Sequence, residues 1–458
     1  MRDRMTELLS RYAEAGPRYT SYPTAPVWTP EVGPGAFGRS LERLEERASL
    51  ALYVHVPFCR SLCHFCACNR VVTRRPELPR RYLGAIECEA RLLAERLGTG
   101  RVVSEMHWGG GTPTHLEPGQ IERLFATLAR AFGVDERTAC SIEVDPRVTT
   151  VDHVDALASL GFRRISMGVQ DFDPRVQAAI HRIQDVETTE RLIQRCRAQG
   201  FESVGIDLIY GLPFQHAASF EKTLDAVARL RADRIALYSY AHVTWVAKQQ
   251  RAFERHDLPS DGEKLGLFVQ ALERLEKEGY VHLGMDHFAL PEDSLAVAAA
   301  RGELHRNFMG YTTAPAEALV GLGPSAISEL PDLYAQSQRD LEGWCEAVEG
   351  GQLATQRGHA MSADDLERRW LIESIMCRGG IAADAYARRF GGSLAARHED
   401  ALRALRGLAA DGLVELEPDG SLRVTAIGRL FLRNVAMPFD AYLPEQRRSG
   451  RRIFSRTV

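Results

Sequence analysis

The chain has 458 residues, 45% of them hydrophobic and 26% charged, with a formal net charge of −4. That balance is ordinary for a globular protein in water and argues against bulk electrostatic attraction to nucleic acid. No run reaches the 18 or more apolar residues of a membrane helix, and Met1-Arg-Asp-Arg-Met5 opens no signal-peptide hydrophobic region, so no membrane insertion and a cytoplasmic setting are expected.

Residues 1–50 hold one amphipathic helix and then Arg18-Tyr-Thr-Ser-Tyr-Pro23, too short to fold alone and expected to pack on a main domain. From about residue 50, β-rich runs alternate with amphipathic helical runs. The spacing predicts strands at Ala51–Val56, Val102–Trp108, Cys140–Val144, Arg164–Val169, Ser203–Tyr210 and Ile235–Tyr240. Between them, Tyr82, Leu83, Ile86, Ala90, Leu93, Leu97 and then Ile121, Leu124, Phe125, Leu128, Phe132 follow helical periodicity. Such a series makes a parallel α/β domain, doubly wound or barrel-like. Cys59, Gly109–Gly111, Glu143, Gln170 and Asp207 fall at or beyond the ends of successive strands, and a barrel gathers strand ends around one site. An incomplete (β/α)6-type, TIM-like barrel over 51–360 is therefore the expected α/β fold.

After Tyr240 the pattern loosens. Asp261–Gly279 reads as a helix, Tyr280–Phe288 as a strand, and Gly302–Ser328 as a glycine- and aromatic-rich loop. From 361 to 458 the chain changes character, with helices at Ala363–Met376, Ile381–Phe390 and Glu399–Asp411. A hairpin then turns at Pro418-Asp-Gly420, so a C-terminal helical, winged-helix-like domain is expected.

Four of the nine cysteines, Cys59, Cys63, Cys66 and Cys68, fall within ten residues, directly after the first strand. The first three have the spacing C-x3-C-x2-C, which is not a paired zinc knuckle. Three thiolates on one loop suit a [4Fe–4S] cluster with one iron left open for a non-protein ligand. Cys68 is then either a fourth ligand, strained by its one-residue distance from Cys66, or an unliganded thiol; a zinc site using all four thiols is the alternative. Cys88, Cys140, Cys196, Cys345 and Cys377 read as buried free thiols. His107-Trp-Gly-Gly-Gly-Thr-Pro-Thr114 is either a tight βα turn or a cradle for a ligand. Glu143, Gln170 and Asp207 interrupt apolar strands, where a polar group is costly unless paired or in contact with a ligand. Arg182 can anchor a carboxylate or form an ion pair. The basic run Arg447-Arg448-Ser-Gly-Arg451-Arg452 reads as a solvated or carboxylate-binding tail rather than a nucleic-acid contact.

Longer strings carry a resemblance. Cys59-x3-Cys63-x-Phe65-Cys66 after Tyr53-Val-His-Val-Pro-Phe, with the glycine triplet, resembles the radical S-adenosylmethionine (SAM) superfamily. Arg18-Tyr-Thr-Ser-Tyr-Pro-Thr-Ala25, Cys66-Ala-Cys68-Asn69, Asp286-His-Phe-Ala-Leu-Pro291, His305-Arg-Asn-Phe-Met-Gly-Tyr-Thr-Thr313 and Gly321-Leu-Gly-Pro-Ser-Ala-Ile-Ser328 resemble, within it, the oxygen-independent coproporphyrinogen III dehydrogenases (oxidases). The likeness continues through Val424-Thr-Ala-Ile-Gly-Arg429 and Asp440-Ala-Tyr-Leu443. It implies a monomeric, cytoplasmic enzyme of haem biosynthesis with its N-terminal segment at the active-site mouth. The implied reaction is anaerobic oxidative decarboxylation of two propionates of coproporphyrinogen III to vinyl groups, through a 5′-deoxyadenosyl radical, with an external electron donor. Carried over by motif, Cys59, Cys63 and Cys66 hold the cluster. Tyr53, Phe65, Gly110, Glu143 and Ile327 contact SAM at the open iron. Gly111, Thr112, Gln170, Arg182, Asp207 and Ala241 match the positions for a second SAM. The family pattern leaves Cys68 off the iron. A substrate with four carboxylates calls for arginines, and Arg18, Arg306 and Arg433 are the candidates, with Tyr19–Tyr22 as a gate. Three rivals stand beside this reading. A haem-binding chaperone relative has Cys-Asp-Phe after the third cysteine and a His-Asn-Pro-Ser-Tyr string, neither present here. The others are a haem-opening radical SAM enzyme and a DNA-binding iron–sulfur or zinc regulator.

Overall fold

A computed structural model describes residues 2–245, 247–449 and Phe454. The chain gathers into two compact units: Thr29–Pro259 with Ala314–Met361, and Met1–Trp28 with Ser260–Thr313 and Ser362–Val458. Two of the sequence-based boundaries therefore differ from the observed grouping. The N-terminal 50 residues divide at Trp28, and Ser260–Thr313 joins the terminal segments rather than the 51–360 domain. Within that unit the helix Asp261–Lys277 packs on the N-terminal helix Arg2–Arg11.

In the first unit, six strands succeed one another: β1 (Leu50–Val56), β2 (Val103–Gly110), β3 (Ala139–Val144), β4 (Phe162–Gln170), β5 (Ser203–Tyr210) and β6 (Arg234–Ser239). Each pairs in parallel with the next, so spatial order repeats chain order. A doubly wound sheet reverses its order at a switch point; this one never does, which makes it an open barrel. The intervening helices include Glu77–Leu97, Pro118–Phe132, Val151–Ser159, Val186–Ala198 and Ala217–Leu230. Burial on both faces explains the near-continuous apolar runs: Leu50, Ala51, Leu52, Val54 and Val56 are all buried.

The expected loop at Gly302–Ser328 is corrected. It holds a hairpin, His305–Asn307 with Gly310–Thr312, in the second unit, and a fully buried strand, Ala318–Leu322, in the first. That strand pairs in parallel with β1 on the side away from β2, placing Gly321 opposite Tyr53. Three antiparallel strands, Ile327–Leu330, Leu333–Ser337 and Thr355–Ala360, extend the sheet beyond it. A five-residue stretch without alternation, with Gly321 inside it and Gly323 just after, looks like loop in sequence although only a buried strand satisfies its backbone. Gly321 is required here, since a Cβ would lie 2.5 Å from the Ile327 carbonyl oxygen. The N-terminal 50 residues also hold a second helix, Pro34–Arg43, which buries Phe37 and Leu41; its two glycines mask it in sequence.

The second unit contains the winged-helix-like element. Helix Ala363–Arg378 leads into strand Gly380–Ile381 and helix Ala383–Phe390 follows it; that strand forms an antiparallel three-stranded sheet with Leu422–Val424 and Val414–Leu416. The single helix expected over Glu399–Asp411 breaks at Leu405 into Glu399–Ala404 and Arg406–Ala410. Tyr280–Phe288 is not one strand but a hairpin, Val281–Gly284 with His287–Ala289, turning at Met285, whose φ is 52°. No described helix is long and apolar enough to cross a membrane.

Candidate active site

The cysteine loop leaves β1 at Pro57 and is held from three sides. Phe58 and Cys59 pair with Val71 and Val72. His64 N–H donates to the Ile180 carbonyl at 2.9 Å, its ring stacks on His181 at 5.3 Å, and His181 bonds the Leu62 carbonyl at 2.9 Å. On the third side the buried Gln250 donates to the carbonyls of Phe65 (2.8 Å) and Ala241 (3.1 Å), tying two predicted site residues together. The Phe65 ring packs on the apolar cluster of Val176, Ile180, Ile209, Leu212, Tyr240 and Phe253.

Cys63 is buried, Cys59 and Cys66 are half-buried, and Cys68 is exposed. Two guanidiniums approach the Cys63 sulfur, Arg147 at 3.3 Å and Arg182 at 3.5 Å. Cys59 lies 3.7 Å from the Thr112 hydroxyl, and burial pushes its thiol up to about 11. Cys66 and Cys68 are free thiols, and a hydrogen bond between them lowers the Cys66 thiol and raises that of Cys68. No three described His, Cys, Asp or Glu side chains converge as a single-ion site requires. A cuboidal cluster asks for less, since each thiolate takes a different iron. Soft thiols on one loop, with arginine charge beside them to offset an anionic cluster, fit that group.

Around the strand ends the polar residues interlock. The Tyr53 ring stacks on His107 at 6.1 Å and 15°, and its hydroxyl bonds His55 at 3.0 Å. His107 bridges Ser141 (2.8 Å) and Glu143 (3.5 Å). Glu143 is enclosed by these strands, yet its side chain is 48% exposed, so it faces open space inside the barrel mouth. Burial opposes its ionisation, but His107, the Gly110 N–H and His55 together hold its carboxyl below the usual range. Asp207 behaves oppositely: burial and the Glu143 charge push it up to about 7, against a 3.0 Å bond from Ser166. At neutral pH the site thus holds one carboxylate and one group near half-protonation.

Arg182 is 6% exposed and is a buried hub rather than a surface ion pair. It meets Asp145 at 3.0 Å and donates to the Gly168 carbonyl. Asp145 also takes Arg147 at 2.7 Å. Gln170 sits at φ 72° at the end of β4, its amide nitrogen 2.8 Å from where a Gly168 Cβ would stand. The glycine triplet is packed by the protein's own atoms. A Cβ on Gly109 would meet Glu143 at 2.8 Å, on Gly110 the His55 ring at 2.6 Å, and on Gly111 the Pro57 carbonyl at 2.7 Å. Ile327 closes against Gly321, opposite Tyr53.

Sequence reasoning missed Asp145, Arg147, His55, His107, Ser166 and Gln250. Asp145-Pro-Arg147 directly after β3 was the readable signal; Gln250 lies far along the chain with none. Of the other cysteines, Cys140, Cys196, Cys345 and Cys377 are buried, whereas Cys88 is half-buried. In the second unit, Tyr19 donates to Asp440 at 3.1 Å and Tyr22 accepts from the Ala441 N–H at 3.0 Å. Arg447 pairs with Glu14 at 2.8 Å; Arg451 and Arg452 lie outside the described residues.

A parallel barrel with a three-cysteine loop after its first strand is the architecture of radical SAM proteins, and residues 53–227 match the Radical SAM superfamily model. Residues 361–431 match the HemN C-terminal domain. Oxygen-independent coproporphyrinogen III oxidase of Escherichia coli K12 is 44% identical over 98% of both chains, and that of Synechocystis is 40% identical over 99% of this chain and 97% of its own. The solved structure of E. coli coproporphyrinogen III oxidase (HemN), described as a radical SAM enzyme, superposes with a TM-score of 0.89 at 43% identity, covering 93% of this chain and 97% of that one. The chain belongs to the oxygen-independent coproporphyrinogen III oxidase family of radical SAM enzymes, a family that uses a [4Fe–4S] cluster and SAM.

Proposed function

We propose that this chain converts two propionates of coproporphyrinogen III to vinyl groups without oxygen, giving protoporphyrinogen IX. The observation that carries this reading is likeness to the named oxidases along the whole chain, from the N-terminal motif through the C-terminal domain, rather than over the cluster loop alone. Cys59, Cys63 and Cys66 would hold the cluster and Cys68 would stay off it. Tyr53, Phe65, Gly110, Glu143 and Ile327 would contact SAM at the open iron, and Gly111, Thr112, Gln170, Arg182, Asp207 and Ala241 a second SAM. The setting is the cytoplasm, the working form a monomer, and the electron comes from an external donor.

When bound, cluster and SAM supply one-electron cleavage of the sulfonium and removal of a hydrogen atom from a propionate. The chain's residues position and shield. Glu143, ionised and facing open space, suits the cationic or hydroxyl-bearing parts of SAM. Arg147 and Arg182 offset negative charge at Cys63. Gln250 and the His64–His181 stack hold the loop in place. Anaerobic incubation with SAM, dithionite and coproporphyrinogen III tests the reading. It predicts vinyl products with 5′-deoxyadenosine; haem binding without turnover would overturn it.

A further inference from the structure

The three cysteines proposed to hold the cluster have unequal neighbours. Cys59 faces the Thr112 hydroxyl and Cys66 the Cys68 thiol. Cys63, 7% exposed, instead takes guanidinium N–H groups from Arg147 at 3.3 Å and Arg182 at 3.5 Å. Among the described residues, no guanidinium hydrogen-bonds Cys59 or Cys66. The two guanidiniums at Cys63 are held differently. Arg182 is divided between the Gly168 carbonyl, which its Nε and Nη2 both reach, and Asp145 at 3.0 Å. Arg147 stands on the turn Asp145-Pro-Arg147 that leaves β3. Asp145 accepts from the Arg147 backbone N–H at 3.0 Å and grips its guanidinium through Nε (3.0 Å) and Nη2 (2.7 Å). The Val148 and Thr149 N–H groups close the turn on the Asp145 carbonyl, each at 3.1 Å. The Arg147 side chain, 18% exposed, is thereby aimed at the sulfur by a braced fork. One carboxylate serves two guanidiniums, so these contacts place Cys63 in a net positive field.

An iron–sulfur cluster gains one negative charge on reduction, and its potential is set by net charge, hydrogen bonds to the sulfurs and solvent exposure. A fixed positive group beside a ligand sulfur in a poorly solvated site favours the more negative state. We infer that Arg147 is a positioning residue that acts through the Cys63 thiolate, raising the reduction potential of the cluster so that a weaker external donor can load it. This rests on the proposed function, which assigns Cys63 to the cluster. The step is one electron from the donor to the oxidised cluster. Arg147 gives up no proton in it, because a guanidinium stays charged. Arg182 matches a SAM position in the family pattern, whereas Arg147 matches none, so the charge that Arg147 presents to Cys63 serves the cluster alone.

The test is a redox titration of the full chain after anaerobic reconstitution, without SAM, followed by the electron paramagnetic resonance signal of the reduced cluster. Wild type, Arg147→Met and Arg147→Lys are compared, and iron content is measured on each. Arg147→Met should lower the ratio of reduced to oxidised cluster at a fixed poise by about tenfold, the lower end of the range for a hydrogen bond to a charged group. For a one-electron couple that is a potential about 59 mV more negative. Arg147→Lys, which keeps the charge and loses the fork, should fall between Arg147→Met and wild type. Iron content should match wild type in both, because Arg182 still pairs with Asp145. An unchanged or raised potential in Arg147→Met would overturn the inference, as would a larger fall in Arg147→Lys than in Arg147→Met. Should Arg147→Met not hold iron, Arg147→Gln, equally uncharged, carries the same expectation. Loss of iron from both uncharged variants would also overturn it, since the guanidinium would then hold the loop rather than set the potential. Failure of wild type to assemble a cluster, or a full cluster in Cys63→Ala, would instead count against the proposed function.

Discussion

Two buried polar clusters invite comparison. At the barrel mouth, Glu143 is flanked by His107, His55 and the Gly110 N–H; in the C-terminal domain, Glu367 accepts from Tyr386, from His398 at 2.7 Å and from Arg397 at 3.1 Å. Burial opposes ionisation in both, and neighbouring donors win in both. The difference lies in what is left over. Glu367 is 10% exposed and satisfied by its own chain on both oxygens, while Glu143 keeps about half its side chain open. A buried carboxylate is therefore no sign of a site by itself; unspent capacity facing open space is.

The largest expected effect separates the two regions outright. Cys59→Ala should abolish cluster assembly, read as loss of iron and of cluster absorbance after anaerobic reconstitution, and with it all vinyl product. Glu367 variants should reconstitute normally. Next, Glu143→Gln should weaken SAM binding by about ten- to a hundredfold, as expected for a lost charge-assisted contact, with the cluster intact. Normal SAM affinity in that variant would remove Glu143 from the site and erase the contrast with Glu367.

The converse prediction concerns Glu367→Ala. Removing the shared acceptor strands the Tyr386 hydroxyl and the buried His398, so stability should drop by about 3 kcal/mol while turnover per folded molecule holds. Denaturant unfolding and activity on the same preparation check both halves.

The sequence displayed these regions unequally. The barrel strands were legible because parallel, doubly buried strands are apolar runs, and the observed ends lie within two residues of the expected ones, from Ser203–Tyr210, which coincides, to Val103–Gly110. The cysteine loop was legible because four thiols in ten residues have no packing explanation. Ala318–Leu322 was not, since its apolar run is too short to tell strand from loop beside its glycines. Gln250 was not either, and of the Arg182–Asp145–Arg147 hub only Arg182 as a lone cation and the Asp145-Pro-Arg147 string at a strand end were readable. Their meaning lies in which carbonyl or sulfur they reach, and that depends on the folded path rather than on spacing.

A smaller effect tests a group that belongs with Glu367 in kind although it lies in the barrel unit. Glu89 is 3% exposed, accepts from the Gly323 N–H at 2.7 Å and the Trp344 indole at 3.1 Å, and burial pushes it up to about 7. Between about pH 4.5 and 7 the unfolded chain loses this proton before the folded one, so Glu89 makes stability fall as pH rises through that window and level off above it. The Glu89→Gln variant has no proton to lose. Relative to wild type it should gain stability as pH goes from 5 to 8, by up to about 3 kcal/mol, in unfolding curves taken across that range. A constant difference would mean that Glu89 is ionised in the fold throughout.

The smallest effect is expected where the sequence was most ambiguous. Cys68 has the exposure of a mouth residue, but its backbone is fixed by its neighbours. Its carbonyl accepts from Arg70 at 2.9 Å, while Asn69 accepts from His55 at 2.9 Å through its own carbonyl and donates to the Arg339 carbonyl at 2.9 Å. Only Ala67 separates it from Cys66, so both thiols reaching corners of one cluster would require the loop to leave these bonds. Cys68→Ala should therefore keep its iron content and cluster absorbance within error of wild type, and SAM should still perturb the spectrum of the reduced cluster by binding an open iron. Loss of iron in Cys68→Ala equal to that in Cys59→Ala would place four thiolates on the metal and close the position that SAM needs.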